Sequence, residues 1–229
     1  MMPRPSNSEL SSTRGVGGGV SWRSFAWGVA AGLVLLGEGG CQREGAGARS
    51  LAPSGISRPA APLRGVLDLS GHPVDPLAQS DSKAVVLIFL SNDCPIANRY
   101  APELRRLQAL FSPQGVRFWW VHPAADESAE SIRNHARDYG LEGGIVRDPR
   151  QVLVQRTGVT VTPEAAVYLA SGEQVYRGRI DDRYVALGVL RAEPTVRDLE
   201  AALEAVLAGR RPATNVSRAV GCHIPALMD

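Results

Sequence analysis

Ala84-Val85-Val86-Leu87-Ile88-Phe89-Leu90-Ser91-Asn92-Asp93-Cys94-Pro95-Ile96-Ala97-Asn98-Arg99-Tyr100-Ala101-Pro102 is the stretch that decides the fold. Its first seven residues are an unbroken apolar run bounded by polar residues on both sides, the pattern of a strand buried on both faces. From Ile96 the apolar residues recur at helical spacing, through Tyr100, Leu104, Leu107 and Phe111, up to Ser112-Pro113. Cys94 therefore stands where a buried strand gives way to a helix. The partial positive charge of a helix N-terminus favours thiolate and lowers a thiol pKa there.

Working outward, the pattern alternates. Arg117 to Val121, with Phe118, Trp119 and Trp120, predicts a second strand between Gly115 and Pro123, its tryptophans packing in the core and on the sheet face. Asp126 is expected to cap the next helix, with Glu127 and Glu130 in its first turn and Gly140 at its end. A short helix is predicted from Asp148-Pro149 through Arg156, closed by Gly158. Ala165–Leu169 and Gln174–Ile180 flank Ser171-Gly172 as a hairpin. Thr195 with Asp198 reads as a capping box for a last helix, Val196 to Ala208. Strands separated by helices run parallel and the hairpin adds antiparallel strands, so the expected class is α/β, a mixed sheet between helices.

The ends of the chain read differently. Arg4, Arg14 and Arg23 precede a charge-free apolar segment of about 14 residues, short of the ~20 of a membrane-spanning helix. With Gly37, Gly39, Gly40 and Cys41 after it, this is a secretory signal or membrane anchor over residues 1–41, with Cys41 placed as a bacterial lipoprotein signal places its lipid-accepting cysteine. Residues 42–62, rich in Gly, Ala, Ser and Pro, form a linker. The folded domain is expected over 63–210 and a tail carrying Cys222 over 211–229. Export places the domain in a periplasmic or other extracytoplasmic compartment, membrane-associated, where disulfides persist. Three cysteines then divide into one anchor, Cys41, and one pair, Cys94 with Cys222. A net charge of +2 with scattered arginines excludes a nucleic-acid stripe.

Two features of this stretch and one beyond it carry a family resemblance. Cys94-Pro95 follows a buried strand, Pro102 lies eight residues after the cysteine, and Thr162-Pro163 precedes the hairpin. Residues 63–208 resemble the thioredoxin-like superfamily, within it the redoxin branch shared with alkyl hydroperoxide reductase and thiol-specific antioxidant proteins. The resemblance implies a three-layer thioredoxin-like sandwich with a mixed central sheet and helices on both faces. It implies Cys94 as the attacking thiol, with Pro95 and a cis Thr162-Pro163 beside the sulfur at the substrate. It also implies protein thiols or disulfides, or a peroxide, as substrate, and an external thiol as reductant.

The chain departs from that pattern in telling ways. Ala97 replaces the resolving cysteine of Cys-x-x-Cys, and Ile88 replaces the buried carboxylate of thioredoxins. Ser91 matches the Thr/Ser-x-x-Cys of peroxiredoxins, whose hydroxyl orients a peroxide; Arg147 and Arg179 are the candidates for their arginine. Asp93, the nearby acid in sequence, is expected to raise the Cys94 pKa. Cys222, in Val220-Gly221-Cys222-His223-Ile224, is the candidate resolving cysteine on a mobile C-terminus, Gly221 allowing close backbone approach; redoxin-like secreted proteins with a terminal Gly-Cys-x-Ile segment are similar. A Cys94–Cys222 bond would close a loop of roughly 130 residues and contribute on the order of 4–5 kcal/mol in the chain-entropy account, so a structural disulfide competes with a catalytic one. No cofactor or metal is expected. His72, His122, His135 and His223 lack zinc spacing, and Cys222-His223 lacks the upstream cysteine of a haem motif. His135 reads as a surface or packing residue, and Arg177 to Asp182 as an exposed strand end or a stretch lining the site. The readings open at this point are a thiol-disulfide oxidoreductase, a thiol peroxidase on the same Cys94, and a redox-inert binding module.

Overall fold

The computed structural model describes residues 63–78 and 81–227. The expected signal or anchor, the linker and Cys41 lie outside the described residues. No helix among those described is long and apolar enough to cross a membrane.

The central sheet has five strands in the order β3-β2-β1-β5-β6: β1 (Ala84–Phe89), β2 (Val116–His122), β3 (Gly144–Arg147), β5 (Glu164–Leu169) and β6 (Gln174–Gly178). β1 runs parallel to β2, β2 parallel to β3, and the β5–β6 hairpin is antiparallel to β1. Every residue of β1 is buried. Strand alternation sends Val86 and Ile88 to one core cluster, Val85, Leu87 and Phe89 to the other. α1 (Pro95–Phe111), α2 (Ala129–Tyr139) and α4 (Asp198–Leu207) contribute to the first cluster through Leu104, Leu107, Ala136, Leu199 and Leu203. The short α3 (Val152–Thr157) contributes Leu153 to the second, joined there by Leu63, Val66 and Ile224. The fold is the mixed three-layer α/β arrangement expected.

The boundaries differ in ways that have physical causes. β3 has only four residues and little apolar content, so no period announced it; it is held at the edge by β2 and by Leu67, whose N–H and C=O bond Arg147. The cap of α2 is Ser128, whose hydroxyl accepts from the Ser131 N–H, and not Asp126; Glu127 lies before the helix and turns inward. Gly140 does end α2, in the left-handed conformation at φ 63°. α3 starts at Val152 and not at Asp148, but Asp148 serves it: its carboxylate accepts from the N–H groups of Val152, Leu153 and Val154. The Thr195–Asp198 capping box does not form. Thr195 bonds Asp182, and Asp198, the first residue of α4, pairs with Arg179.

Four short strands were not expected at all. β4 (Val161–Thr162) pairs antiparallel with β9 (Cys222–His223), and β7 (Tyr184–Ala186) pairs with β8 (Val189–Leu190) in a short hairpin. Too short to show a period, they nonetheless build the surroundings of the site.

Candidate functional site

Cys94 is the N-cap of α1, in extended conformation at φ −84° and ψ 106°, and its sulfur accepts the Ala97 N–H at 3.4 Å. Pro95 occupies the first helical position, where a missing N–H costs nothing. Pro102 sits inside the helix, depriving the Asn98 carbonyl of its helical donor at a cost of about 3 kcal/mol. Cys94 is 1% exposed. Three segments distant in sequence build its surroundings.

The first is Thr162-Pro163, a cis peptide. The Thr162 carbonyl lies 3.0 Å from the Cys94 sulfur, accepting its S–H in the thiol form. The Thr162 hydroxyl is buried with no partner at hydrogen-bond distance and acts on the sulfur from slightly farther away.

The second is the tail. In the β4–β9 ladder Thr162 faces Cys222 and Val161 faces His223, and the Ile224 N–H continues it to the Thr160 carbonyl. Upstream, Asn215 and Ser217 bond Arg177 of β6; downstream, the Gln151 amide reaches the Pro225 carbonyl. The expected mobile terminus is thus tied to the domain on either side of Cys222 among the described residues. Both cysteines are free thiols, and β9 sets Cys222 opposite Thr162, whose carbonyl meets the Cys94 sulfur. Burial pushes the Cys94 thiol up, but the Cys222 thiol, the Ala97 N–H, the Thr162 hydroxyl and the Cys222 N–H together hold it below the ordinary thiol value. Cys222 moves the other way, pushed up to about 11 by burial and then by Cys94 itself. Of the two thiols, Cys94 is thus the more acidic. Asp93, expected to raise Cys94, is exposed and is not among the leading influences on it.

The third is the β7–β8 hairpin. Its Tyr184 ring packs on Tyr100 of α1, whose hydroxyl donates to Asp181 at 2.5 Å. Asp182 receives Thr195 and Val196 N–H groups. The Arg177–Asp182 run is therefore a scaffold that aims the hairpin, with Asp181 and Asp182 buried where exposure was one of the two expectations. Between hairpin and helix an apolar groove of about 470 Å³ opens beside Cys222, lined by Pro95, Ile96, Arg99, Tyr184 and Leu190 among others.

Behind the Cys94 turn lies a polar cluster that sequence reasoning missed. Glu127, 9% exposed, accepts the Ser91 hydroxyl at 2.9 Å and the Asn92 N–H at 2.8 Å, and its other oxygen is 2.7 Å from His122 Nδ1. Burial raises the Glu127 pKa, but His122 and these donors outweigh it and hold the carboxyl below its usual value. His135 is buried on α2, bonded to Asn98 of α1, and burial lowers its pKa. Ser91 thus gives its hydroxyl to Glu127. Neither arginine candidate is directed at the sulfur by a bond: Arg179 pairs with Asp198, and Arg147 lies in β3 with its buried Nε unpartnered. The signal for this cluster was only that Glu127 and His122 flank a short turn begun by Pro123, which no period or motif distinguishes from surface. Among the described residues no group of three or more His, Cys, Asp or Glu is arranged to hold a metal ion.

A cysteine capping the first helix, a parallel–antiparallel sheet and a cis-proline facing the sulfur define a thioredoxin-like protein. The chain belongs to the redoxin family, whose model matches residues 53–183, and with that family it is an oxidoreductase. Among solved structures it is similar to a hypothetical protein of Sinorhizobium meliloti 1021, at 26% identity over 69% of this chain and 88% of that one, with a TM-score of 0.61. It is similar also to an uncharacterized conserved protein of Geobacillus kaustophilus, at 24% identity over 72% and 89%, with a TM-score of 0.63. A secreted Mycobacterium tuberculosis disulfide oxidoreductase matches at 23% identity over 63% and 93%, with a TM-score of 0.43. No curated protein matches the chain.

Proposed function

We propose that the chain is an exported thiol-disulfide oxidoreductase in which Cys94 is the nucleophile and Cys222 the resolving thiol. The observation that carries this is the contact of a lowered thiol with a raised one beside Thr162-Pro163. Cys94 thiolate attacks one sulfur of a substrate disulfide. A Cys94–substrate disulfide forms, and the other substrate sulfur leaves as thiolate and takes up a proton. Cys222 then loses its proton and attacks the Cys94 sulfur, releasing the second substrate thiol. The substrate gains two electrons, and the Cys94–Cys222 disulfide left behind is reduced by an external dithiol. The substrate-binding set in this reading is Ser91, Pro95, Thr162 and Pro163, with Thr162 offering its carbonyl to the sulfur and Pro95 the helix start and one wall of the groove. Export, and lipid attachment at Cys41, rest on the basic and apolar N-terminal sequence.

A thiol peroxidase using the same Cys94 is the second reading. There a hydroperoxide transfers its terminal oxygen to Cys94, leaving as an alcohol, and Cys222 condenses with the sulfenic acid to release water. The Ser91 hydroxyl, committed to Glu127, supports the first reading over this one. Treating the full-length protein with oxidised glutathione or stoichiometric peroxide, then mapping cysteines by non-reducing mass spectrometry, separates them. A Cys94–Cys222 bond formed by the disulfide and reversed by dithiol is the expected result. Rapid sulfenic acid at Cys94 with no reaction toward glutathione disulfide selects the peroxidase. A Cys94 inert to both unless the protein is unfolded leaves the redox-inert module.

A further inference from the structure

The tail meets β4 as a bound ligand would. It is extended, antiparallel, and paired through only a few residues, with its cysteine against Cys94 and its alternate residue Ile224 buried in the second core cluster. His223, between them, is exposed. This is how a strand added to an open edge is recognised, main-chain bonds supplying affinity and alternate side chains supplying specificity. One contact is more selective than the rest. A side chain at position 221 would place its Cβ 2.3 Å from the Thr162 carbonyl oxygen and 2.7 Å from its carbon, so only glycine fits before the cysteine.

We propose that the edge of β4 is a docking site for extended, cysteine-bearing polypeptide of the pattern Gly-Cys-x-aliphatic, and that this chain's own tail occupies that site when it is closed. The inference rests on the exchange chemistry proposed above and adds its substrate class. A partner segment enters as the tail leaves. Its glycine lies on the Thr162 carbonyl, its cysteine reaches Cys94, and its aliphatic residue takes the place of Ile224. The tail's return presents Cys222 to the mixed disulfide and displaces the product from the same edge.

The test uses the full-length chain in two forms: C222S, with the tail seated, and G221V/C222S, in which the added side chain drives the tail off Thr162. The probes are two peptides, Val-Gly-Cys-His-Ile-Pro and Val-Leu-Cys-His-Ile-Pro, each carrying its cysteine as a disulfide with an aryl thiol. Cys94 thiolate attacks the peptide sulfur; the Cys94–peptide bond forms as the aryl bond breaks, and the aryl thiolate leaves with the electron pair. The Cys94 adduct is followed by mass spectrometry. The glycine peptide is expected to react about ten-fold or more faster with G221V/C222S than with C222S, and about ten-fold or more faster than the leucine peptide on the open form. Equal rates for the two peptides, or no gain on opening, overturn the inference. If G221V/C222S does not fold, I224D/C222S loosens the tail away from Thr162 and makes the same comparison. A Cys94 that reacts with neither peptide nor with a plain aryl disulfide defeats the exchange chemistry itself, an outcome distinct from equal rates.

Discussion

The two thiols reach the same point by unlike means. Cys94 stands at the junction of β1 and α1, a strand buried along its whole length and a helix whose Leu104 and Leu107 face the core. Cys222 is delivered by a two-residue strand, flanked by a few hydrogen bonds and one buried isoleucine. The first thiol is fixed by the same packing that stabilises the fold, and the second by contacts that can part without unfolding it. A nucleophile gains from the first kind of support because its geometry must not vary; a resolving thiol gains from the second because it must make way.

The largest effect that tests this contrast is chemical. C94S is expected to lower disulfide reduction at least about a thousand-fold while leaving the urea midpoint near that of the wild type. Retained turnover would move the nucleophile elsewhere. In stability, Leu104→Ala should cost about 2–5 kcal/mol in urea denaturation. Ile224→Ala should cost less than about 2 kcal/mol globally while speeding alkylation of Cys94, because the tail opens first. Equal costs would make the tail part of the main cooperative unit and erase the distinction. Glu127→Gln weakens the acceptor for Ser91 and Asn92 and leaves His122 beside a neutral amide. A loss of about 1–3 kcal/mol is expected, with Cys94 alkylation slowed if the cluster holds the turn. The smallest effect is electrostatic. C222A removes a donor to the Cys94 thiolate, so the pH midpoint of Cys94 alkylation moves up and the rate at neutral pH falls. A downward shift would mean that the tail acts on Cys94 chiefly by burying it.

The strand–helix frame was legible because it is written in long apolar runs and helical periods: β1, α1, β2 and the β5–β6 hairpin all fall where Ala84–Leu90, Ile96–Phe111, Arg117–Val121 and Ser171-Gly172 placed them. Cys94 was legible from its place between an apolar strand and a helix, and the meeting of Thr162-Pro163 with its sulfur only through the family resemblance. Glu127 was not, since a carboxylate before a helix reads as a first-turn charge, and only the tertiary packing of His122 and Ser91 turns it inward. The tail was half legible. Gly221-Cys222 marked a place where chain could approach chain, but which strand it would meet is a long-range fact. No local pattern encodes the pairing of residue 222 with residue 162.

That pairing also orders events during synthesis. Cys94 is made well before β4 and β9, the two strands that meet over it. In that interval the nascent protein carries the sulfur without its later cover, and it comes under the molecule's own control only when β9 closes on β4.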